Sequence, residues 1–219
     1  DGHDLDPADP DNWTVPTPIY RNDASLLNGN KQLAATASGG VGMSLDMTYF
    51  QDADGRSYYA WQQLGATYIA TMDPKDPAHV TSSPVRIVTP EYAWNAAIAE
   101  GPNVTLRDGK LYLMFSGSGV GKTYTTGLAV ADASGTDLTD PASWTVLNYP
   151  IQKSGPFNGE MQLGTGHGMW SEDEDGNQIY VFHAYATKNL GSVNAAGRDM
   201  FVRRVHWAAD GMPVFDMSS

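Results

Sequence analysis

The chain has 219 residues, no cysteine and a formal net charge of −12 at pH 7. The lack of cysteine excludes disulfides, thiol catalysis and Cys-bound zinc. The acidic balance argues against nucleic acid and anionic membranes as partners, because both attract clustered Lys and Arg. No apolar run approaches the ~20 residues of a membrane span. Asp1-Gly2-His3-Asp4 does not have the pattern of a signal peptide, and whether the protein is secreted or cytoplasmic stays open.

Abundant turn residues without helical periodicity predict an all-β protein. The acidic, Pro-rich start leads into a segment, 9–15, that closely matches a later one, 140–146. The later copy ends a unit of strands, where Trp144 begins an outer strand. By analogy, we expect Trp13 to begin the outer strand of an earlier unit. Residues 22–42 are rich in Asn, Gly and Ala and indicate a connector.

Three units of strands follow this connector. Alternating and apolar runs bounded by turn residues predict the strands of each unit. The predicted strands are 45–51, 57–63, 66–72 and 84–88; 102–107, 110–116, 123–131 and 144–147; and, for the last unit, a hairpin from 167 to 183 followed by 199–207 and 212–215.

One hairpin pattern occurs in all three units. An ionisable residue leads an apolar strand, an Asp-Gly turn follows, and a second apolar strand returns; Asp-Gly is a strong hairpin signal because Gly accepts positive φ angles. The leading residue stands eight positions before the turn aspartate in each copy. The leading residues and their turn aspartates are Asp46 with Asp54, Glu100 with Asp108, and His167 with Asp175.

Successive four-stranded units of this kind predict the blades of a β-propeller. The innermost strand of each blade lines the central axis, so equivalent residues at its start face one cavity. We therefore expect Asp46, Glu100 and His167 to converge in a single site. The predicted organisation is one partial propeller over 1–219, with an outer strand and connector at 1–41 and blades at 42–90, 91–157 and 158–219.

Five short motifs in this order resemble glycoside hydrolase family 43. They are Ser44-Leu45-Asp46 with its Asp52-Ala53-Asp54-Gly55 turn, Pro90-Glu91-Tyr92-Ala93-Trp94, Glu100-Gly101-Pro102, Gly164-Thr165-Gly166-His167 and Gly197-Arg198-Asp199. The resemblance implies a five-bladed β-propeller of inverting arabinofuranosidases, xylosidases and arabinanases. About three blades and one outer strand would lie on this chain.

The resemblance also implies a role for each polar site residue. Glu100 matches the general acid and Asp46 the aspartate that modulates the acid. His167 matches an axial histidine, often beside a calcium ion held through water, and Arg198 an arginine that reaches the modulator and the sugar. Inverting hydrolysis needs such an acid, kept protonated by burial or a neighbouring anion, and a base on the opposite face. No other cofactor is implied.

Other interpretations of these residues compete. A single Asp or Glu that leads a strand is more often a turn or cap residue, and Arg198 can be an ordinary strand charge. Trp61, Trp94 and Phe115 are candidates to pack against a sugar, although such aromatic residues lie more often in the core. His183, on a returning strand, is expected to be an interior histidine. Ser116 to Thr123 nearly spells a phosphate-binding loop, but a strand rather than a helix follows.

The predicted function is removal of α-L-arabinofuranosyl or β-D-xylosyl units from a carbohydrate substrate. The alternatives are a carbohydrate-binding propeller without turnover, or an inactive fragment. None of the aspartates before Asp46 lies in a frame that matches the family's catalytic base. We therefore expect an N-terminal segment of the same propeller, as a partner of this chain, to supply the base and close the ring.

Overall fold

The structure is a computed structural model that describes residues 5–22, 27, 44–186 and 197–217. Part of the 22–42 connector lies outside the described residues. Three antiparallel sheets follow one another along the chain. Their strands are β1 (Ser44–Gln51), β2 (Ser57–Gln63), β3 (Ala66–Asp73), β4 (Asp76–Val80) and β5 (Val85–Val88); β6 (Ala99–Arg107), β7 (Lys110–Gly117), β8 (Thr125–Asp132) and β9 (Thr145–Val146); and β10 (Gly155–Phe157), β11 (Glu160–Glu172), β12 (Gln178–Tyr185) and β13 (Asp199–Arg204).

A separate two-stranded sheet pairs β14 (His206–Trp207) with β15 (Pro213–Val214). Short 3-10 helices occupy Pro10–Asn12, Ala93–Asn95 and Pro141–Ser143. None of the helices in the described ranges is long and apolar enough to cross a membrane.

Apolar residues fill the spaces between neighbouring sheets. One core cluster joins the first two sheets and includes Phe50, Ile69, Leu113 and Trp144. A second cluster joins Met114 of the middle sheet to aromatic residues of the third. Face-to-face packing of successive sheets, with β1, β6 and β11 innermost, is the arrangement of propeller blades. The predicted all-β propeller-type fold is therefore confirmed.

The strand predictions differ from the structure mainly at the outer edges. An additional strand, β4, pairs with β3 beside β5. The single strand predicted over 199–207 is wrong, because the chain leaves the sheet after Arg204 and residues 206–207 pair with β15 instead. These outer strands are short and half-exposed, so their apolar pattern is weak.

The two similar sequence segments around Trp13 and Trp144 also have the same local structure. In both copies an aspartate caps a 3-10 helix, and the indole N–H donates to a carbonyl six residues earlier at 2.9 Å. Trp144 is 6% exposed, whereas Trp13 is 67% exposed. The outer strand expected to begin at Trp13 is not seen there, since residues 14–15 of the described ranges form no strand.

Gly127 shows how tightly the middle blade is packed. A Cβ atom at this position would lie 2.4 Å from the Phe115 ring and 2.6 Å from the Trp94 ring. Phe115 is fully buried, and Trp94 stacks on it with ring centroids 6.0 Å apart. The aromatic pair therefore fills the space that any side chain at 127 would need.

We predict that Gly127→Ala lowers the free energy of unfolding by about 1–3 kcal/mol, because overpacking displaces the rings or the strand. Gly119→Ala is the matched control, since no heavy atom lies within 4 Å of its added methyl group. Denaturant midpoints of the two variants check the difference. Equal midpoints would contradict the packing described for Phe115 and Trp94.

Candidate active site

A bulge interrupts each inner strand, near the start of β1 and β6 and midway along β11. The strand register shifts between Leu45 and Thr48, between Glu100 and Asn103, and between Gly166 and Met169. The residue that follows the first member of each pair has a positive φ angle: Asp46 at 57°, Gly101 at 58° and His167 at 49°. Three equivalent bulges thus turn the chain at the same level of the three blades.

Equal spacing from the Asp-Gly turns therefore does not mean equal structural position. Asp46 and His167 occupy the left-handed bulge position, whereas Glu100 lies one residue before it. The middle hairpin causes this offset. Between its bulge and its turn it has one more residue pair than the other two hairpins, and its loop contains only two residues. The other two hairpins have longer loops, closed by the Gln51–Ser57 and Glu172–Gln178 pairs. The three leading residues were predicted to occupy equivalent positions. For Glu100 this prediction was wrong by one residue.

The residue types at the three bulges fit this backbone. Asp and His are among the non-glycine residues enriched at positive φ. Gly101 takes the third position, where an added Cβ would also lie 3.3 Å from the His167 ring. Glycine in the Glu-Gly-Pro motif thus fits both the positive φ angle and the tight space beside His167.

The structure brings Asp46, Glu100 and His167 together through two polar links. The Gly101 N–H donates to Asp46 Oδ2 at 3.1 Å, and His167 Nε2 lies 3.7 Å from Asp46 Oδ1. On the other side of His167, its Nδ1 lies 3.2 Å from the hydroxyl of Tyr124, which donates to Glu100 Oε1 at 2.7 Å. The convergence expected from the repeat is therefore present, with Tyr124 as an additional member.

Tyr124 lies directly before β8 and is fully buried. Burial, followed by the negative charge of Glu100 and the hydrogen bond to it, raises the pKa of Tyr124 well above its ordinary value. The phenol therefore keeps its proton and acts as a donor. Its ring fills the space above Gly166, where a Cβ atom would lie only 2.5 Å from it. The second glycine of the Gly-Thr-Gly-His motif is thus required by the packing of Tyr124.

His183 and Arg198 form the layer behind Tyr124. The His183 ring stacks on Tyr124 with centroids 5.5 Å apart, and Arg198 donates to His183 Nε2 at 2.8 Å. Because Nε2 accepts, the imidazole proton resides on Nδ1. Burial, the Arg198 charge and nearby His167 lower the pKa of His183 to about 4. The contact of Arg198 with the modulator and the sugar, which the resemblance implies, stays a prediction.

The three aromatic candidates for sugar packing lie in different environments. Trp61 is fully buried beside Leu27 and Val80, although it also borders a cavity of about 280 Å³ that contains Asp46. Phe115 is fully buried in the core cluster of the first two blades. Trp94 is half-buried, and its indole N–H donates to the Asn148 carbonyl at 3.0 Å. A role for any of them in sugar binding stays a prediction.

A groove runs along the inner strands next to these residues. It has a volume of about 300 Å³ and is lined by the bulge segments of β1, β6 and β11, including Asp46, Gly101, Asn103 and His167. His167 also borders a larger cavity of about 570 Å³, together with His183 and Arg198. The side chain of His167 is 44% exposed and that of Asp46 22% exposed, so both are accessible from the groove.

A calcium ion beside His167 stays a prediction. Calcium takes six to eight oxygen ligands, and the described residues contain no group of three or more His, Asp or Glu side chains placed to hold a metal. The side-chain oxygens described next to His167 include the Asp46 carboxylate, the Tyr124 hydroxyl and Ser116 Oγ, which accepts the backbone N–H of His167. These groups do not build a calcium site by themselves.

Comparison with known proteins identifies the class. The family model for glycosyl hydrolases of family 43 matches residues 30–213. The chain is 32% identical over 185 residues to an extracellular exo-α-(1→5)-L-arabinofuranosidase of Streptomyces avermitilis, and 32% identical over 186 residues to α-L-arabinofuranosidase 43 of Humicola insolens. Each alignment covers 78% of this chain but 37% of the relative.

A solved structure supports the same assignment. The α-L-arabinofuranosidase of Lactobacillus brevis superposes with a TM-score of 0.70 at 29% identity, covering 79% of this chain and 55% of that one. The fold is thus that of the propeller-type glycosyl hydrolases. The chain belongs to glycosyl hydrolase family 43, and it spans about 37% of the length of the curated relatives that it matches.

Acid titration of the layer behind Tyr124 provides a test of this geometry. The pKa of His183 is about 4 in the folded protein and 6.5 in its ordinary state, so the unfolded chain binds more protons between these values. The free energy of unfolding should therefore fall as the pH drops from about 6.5 to 4, with a His183 contribution on the order of 2 kcal/mol.

In His183→Gln this contribution should vanish, so the stability difference between the variant and the original protein should shrink or reverse at pH 4. Denaturant unfolding at several pH values measures it, and His79→Gln, at an exposed site, is the control for removal of an imidazole. If the free energy of unfolding of His183→Gln falls as much between pH 6.5 and 4 as that of the original protein, the buried, neutral state of His183 is contradicted.

Proposed function

We propose that this chain carries the acid side of an inverting glycosidase site that removes terminal α-L-arabinofuranosyl units. The observation that carries the proposal is the Glu100 carboxyl group, held by Tyr124 beside Asp46 and His167 at the bulges of adjacent inner strands in a family-43 chain. The similarity to arabinofuranosidases favours arabinose over xylose as the sugar that is released. A β-D-xylosyl unit is the alternative substrate.

In this proposal Glu100 protonates the glycosidic oxygen while water attacks the anomeric carbon from the opposite face. Inverting enzymes place the acid and the base roughly 6.5–9.5 Å apart to leave space for this water. Asp46 Oδ2 accepts the N–H of Gly101, the residue directly after Glu100, so we place Asp46 beside the acid and the base elsewhere. We assign Asp46 to orienting the acid and binding a sugar hydroxyl.

The base would then come from an N-terminal segment that also completes the ring. This part of the proposal is supported by the fraction of the relatives that the chain spans, 37%. It is also supported by the groove along β1, β6 and β11, which in the described residues contains the carboxylate of Asp46 alone.

The first experiment concerns Glu100. In the complete protein, with the segment that supplies the base, Glu100→Ala should lower kcat about 10²–10⁴-fold on arabinofuranosides with poor leaving groups, which is the usual contribution of proton transfer. It should lower kcat far less on an activated aryl arabinofuranoside, because that leaving group departs without a proton. Glu172→Ala, at the exposed end of β11, is the control. Equal losses on both substrates would remove Glu100 from the acid role.

The second experiment concerns the base. Residues 1–219 expressed alone should bind sugar weakly and show no hydrolysis, because water remains unactivated. Addition of the N-terminal blades of a family-43 relative, in trans or as a fusion, should produce turnover that depends on Glu100. Full activity of the chain alone would place the base within residues 1–219 and refute the need for a second segment. Sugar binding without turnover in both forms would favour the carbohydrate-binding alternative.

A further inference from the structure

The hydroxyl of Tyr124 lies between the two groups that the repeat had predicted on different blades. It is 2.7 Å from Glu100 Oε1 and 3.2 Å from His167 Nδ1. The side chain is completely buried, although Glu100 itself is only half-buried. A fully buried phenol therefore holds a partly exposed carboxyl group, and no feature of the hairpin repeat predicts this contact.

The direction of the hydrogen bonds follows from the number of protons. A carboxylate oxygen only accepts, so the single phenolic proton goes to Glu100 Oε1. The His167 Nδ1–H can then donate to the phenolic oxygen. In the described ranges no hydrogen bond reaches the second carboxyl oxygen of Glu100, Oε2. The two oxygens of the acid thus have different environments: one is fixed from within the protein and the other is open.

We propose that Tyr124 is a positioning residue, which fixes Glu100 through Oε1 so that Oε2 carries the proton to the leaving group. This inference rests on the proposed function. In the reaction the Oε2 proton passes to the glycosidic oxygen as its bond to the anomeric carbon breaks. Water forms the new bond to that carbon and gives its proton to the base. Glu100 is left as a carboxylate, which the Tyr124 hydroxyl stabilises by a charge-assisted hydrogen bond.

The packing around Tyr124 makes it suited to this role. Gly166 lies against one side of the ring, and His183 stacks parallel to it at an interplanar angle of 6°. The ring cannot turn away without displacing β11 or β12. The ionisable and charged groups around it are Glu100 from β6, Asp46 from β1, His167 from β11, His183 from β12 and Arg198 next to β13. A rigid support of this kind places a reactive group more accurately than a mobile side chain does.

Kinetics with two leaving groups test the proposal in the complete, active protein. Tyr124→Phe should lower kcat about 10–100-fold on a substrate with a poor leaving group, the contribution of one hydrogen bond to a charged group. On an activated aryl arabinofuranoside its kcat should stay within about threefold, and KM should change little on either. Tyr180→Phe is the matched control, because Tyr180 is also a fully buried tyrosine whose hydroxyl is hydrogen-bonded, in its case to Thr126 at 2.7 Å.

A loss in Tyr124→Phe that is equal on both substrates, as expected for Tyr180→Phe, would overturn the positioning role. Such a result would show that Tyr124 only supports the fold.

A second measurement does not depend on turnover. The melting temperatures of Tyr124→Phe, Glu100→Ala and the double variant form a double-mutant cycle. The double variant should lose about 2–6 °C less than the sum of the single losses, because the hydrogen bond can be removed only once. Additive losses would overturn the role of Tyr124 even in an active enzyme. A clear coupling in a protein that hydrolyses neither substrate would instead overturn the proposed function on which the inference rests.

Discussion

The inner strands are so closely surrounded that glycines along them leave little space for a side chain. An added Cβ at Gly101 would lie 3.3 Å from the His167 ring of the neighbouring inner strand, and one at Gly168 would lie 2.2 Å from the Tyr180 ring of β12 in the same blade. This close approach puts the Gly101 N–H within reach of the Asp46 carboxylate. The spacing of the strands therefore determines whether the polar groups of the site can meet. Larger residues at these glycines would separate them.

The two carboxyl groups are fixed by different donors. Asp46 is held by a backbone N–H and lies near an imidazole, whereas Glu100 is held by a phenol. Pairs of carboxyl groups with different environments are typical of glycosidases, because the two groups have different tasks. In the layer behind them the low pKa of His183 keeps its imidazole neutral, so the positive charge of this layer is that of Arg198.

Much of the fold was predictable from the sequence, because the middle strands β2 and β7 are buried on both faces and the inner strand β1 alternates between exposed and partly buried residues. Their apolar runs and Asp-Gly turns gave the bounds of β1, β2 and β7 to within about a residue. The outer strands were less accurate: β4 was not predicted, and the chain leaves the third sheet after Arg204. Partly exposed edges have little apolar pattern from which to infer pairing.

The site was predictable only in part. The convergence of Asp46, Glu100 and His167 followed from the repeat, but the one-residue offset of Glu100 depends on loop length, which spacing alone does not reveal. Tyr124 and His183 were missed as members of the site. Tyr124 reaches Glu100, 24 residues away in its own blade, and also contacts His167 and His183 of the next blade. His183 reaches Arg198, 15 residues away. Such contacts leave no periodic signal in the chain.

The capped turn that ends in a tryptophan has a consequence for folding. It keeps the same geometry whether its indole is covered, as at Trp144, or largely exposed, as at Trp13. Its hydrogen bonds span only six residues, so closing it costs little chain entropy. The turn is thus encoded locally and can form before any sheet has assembled. In the middle blade it then provides a preformed start for β9, the strand that must find its partner across a long loop.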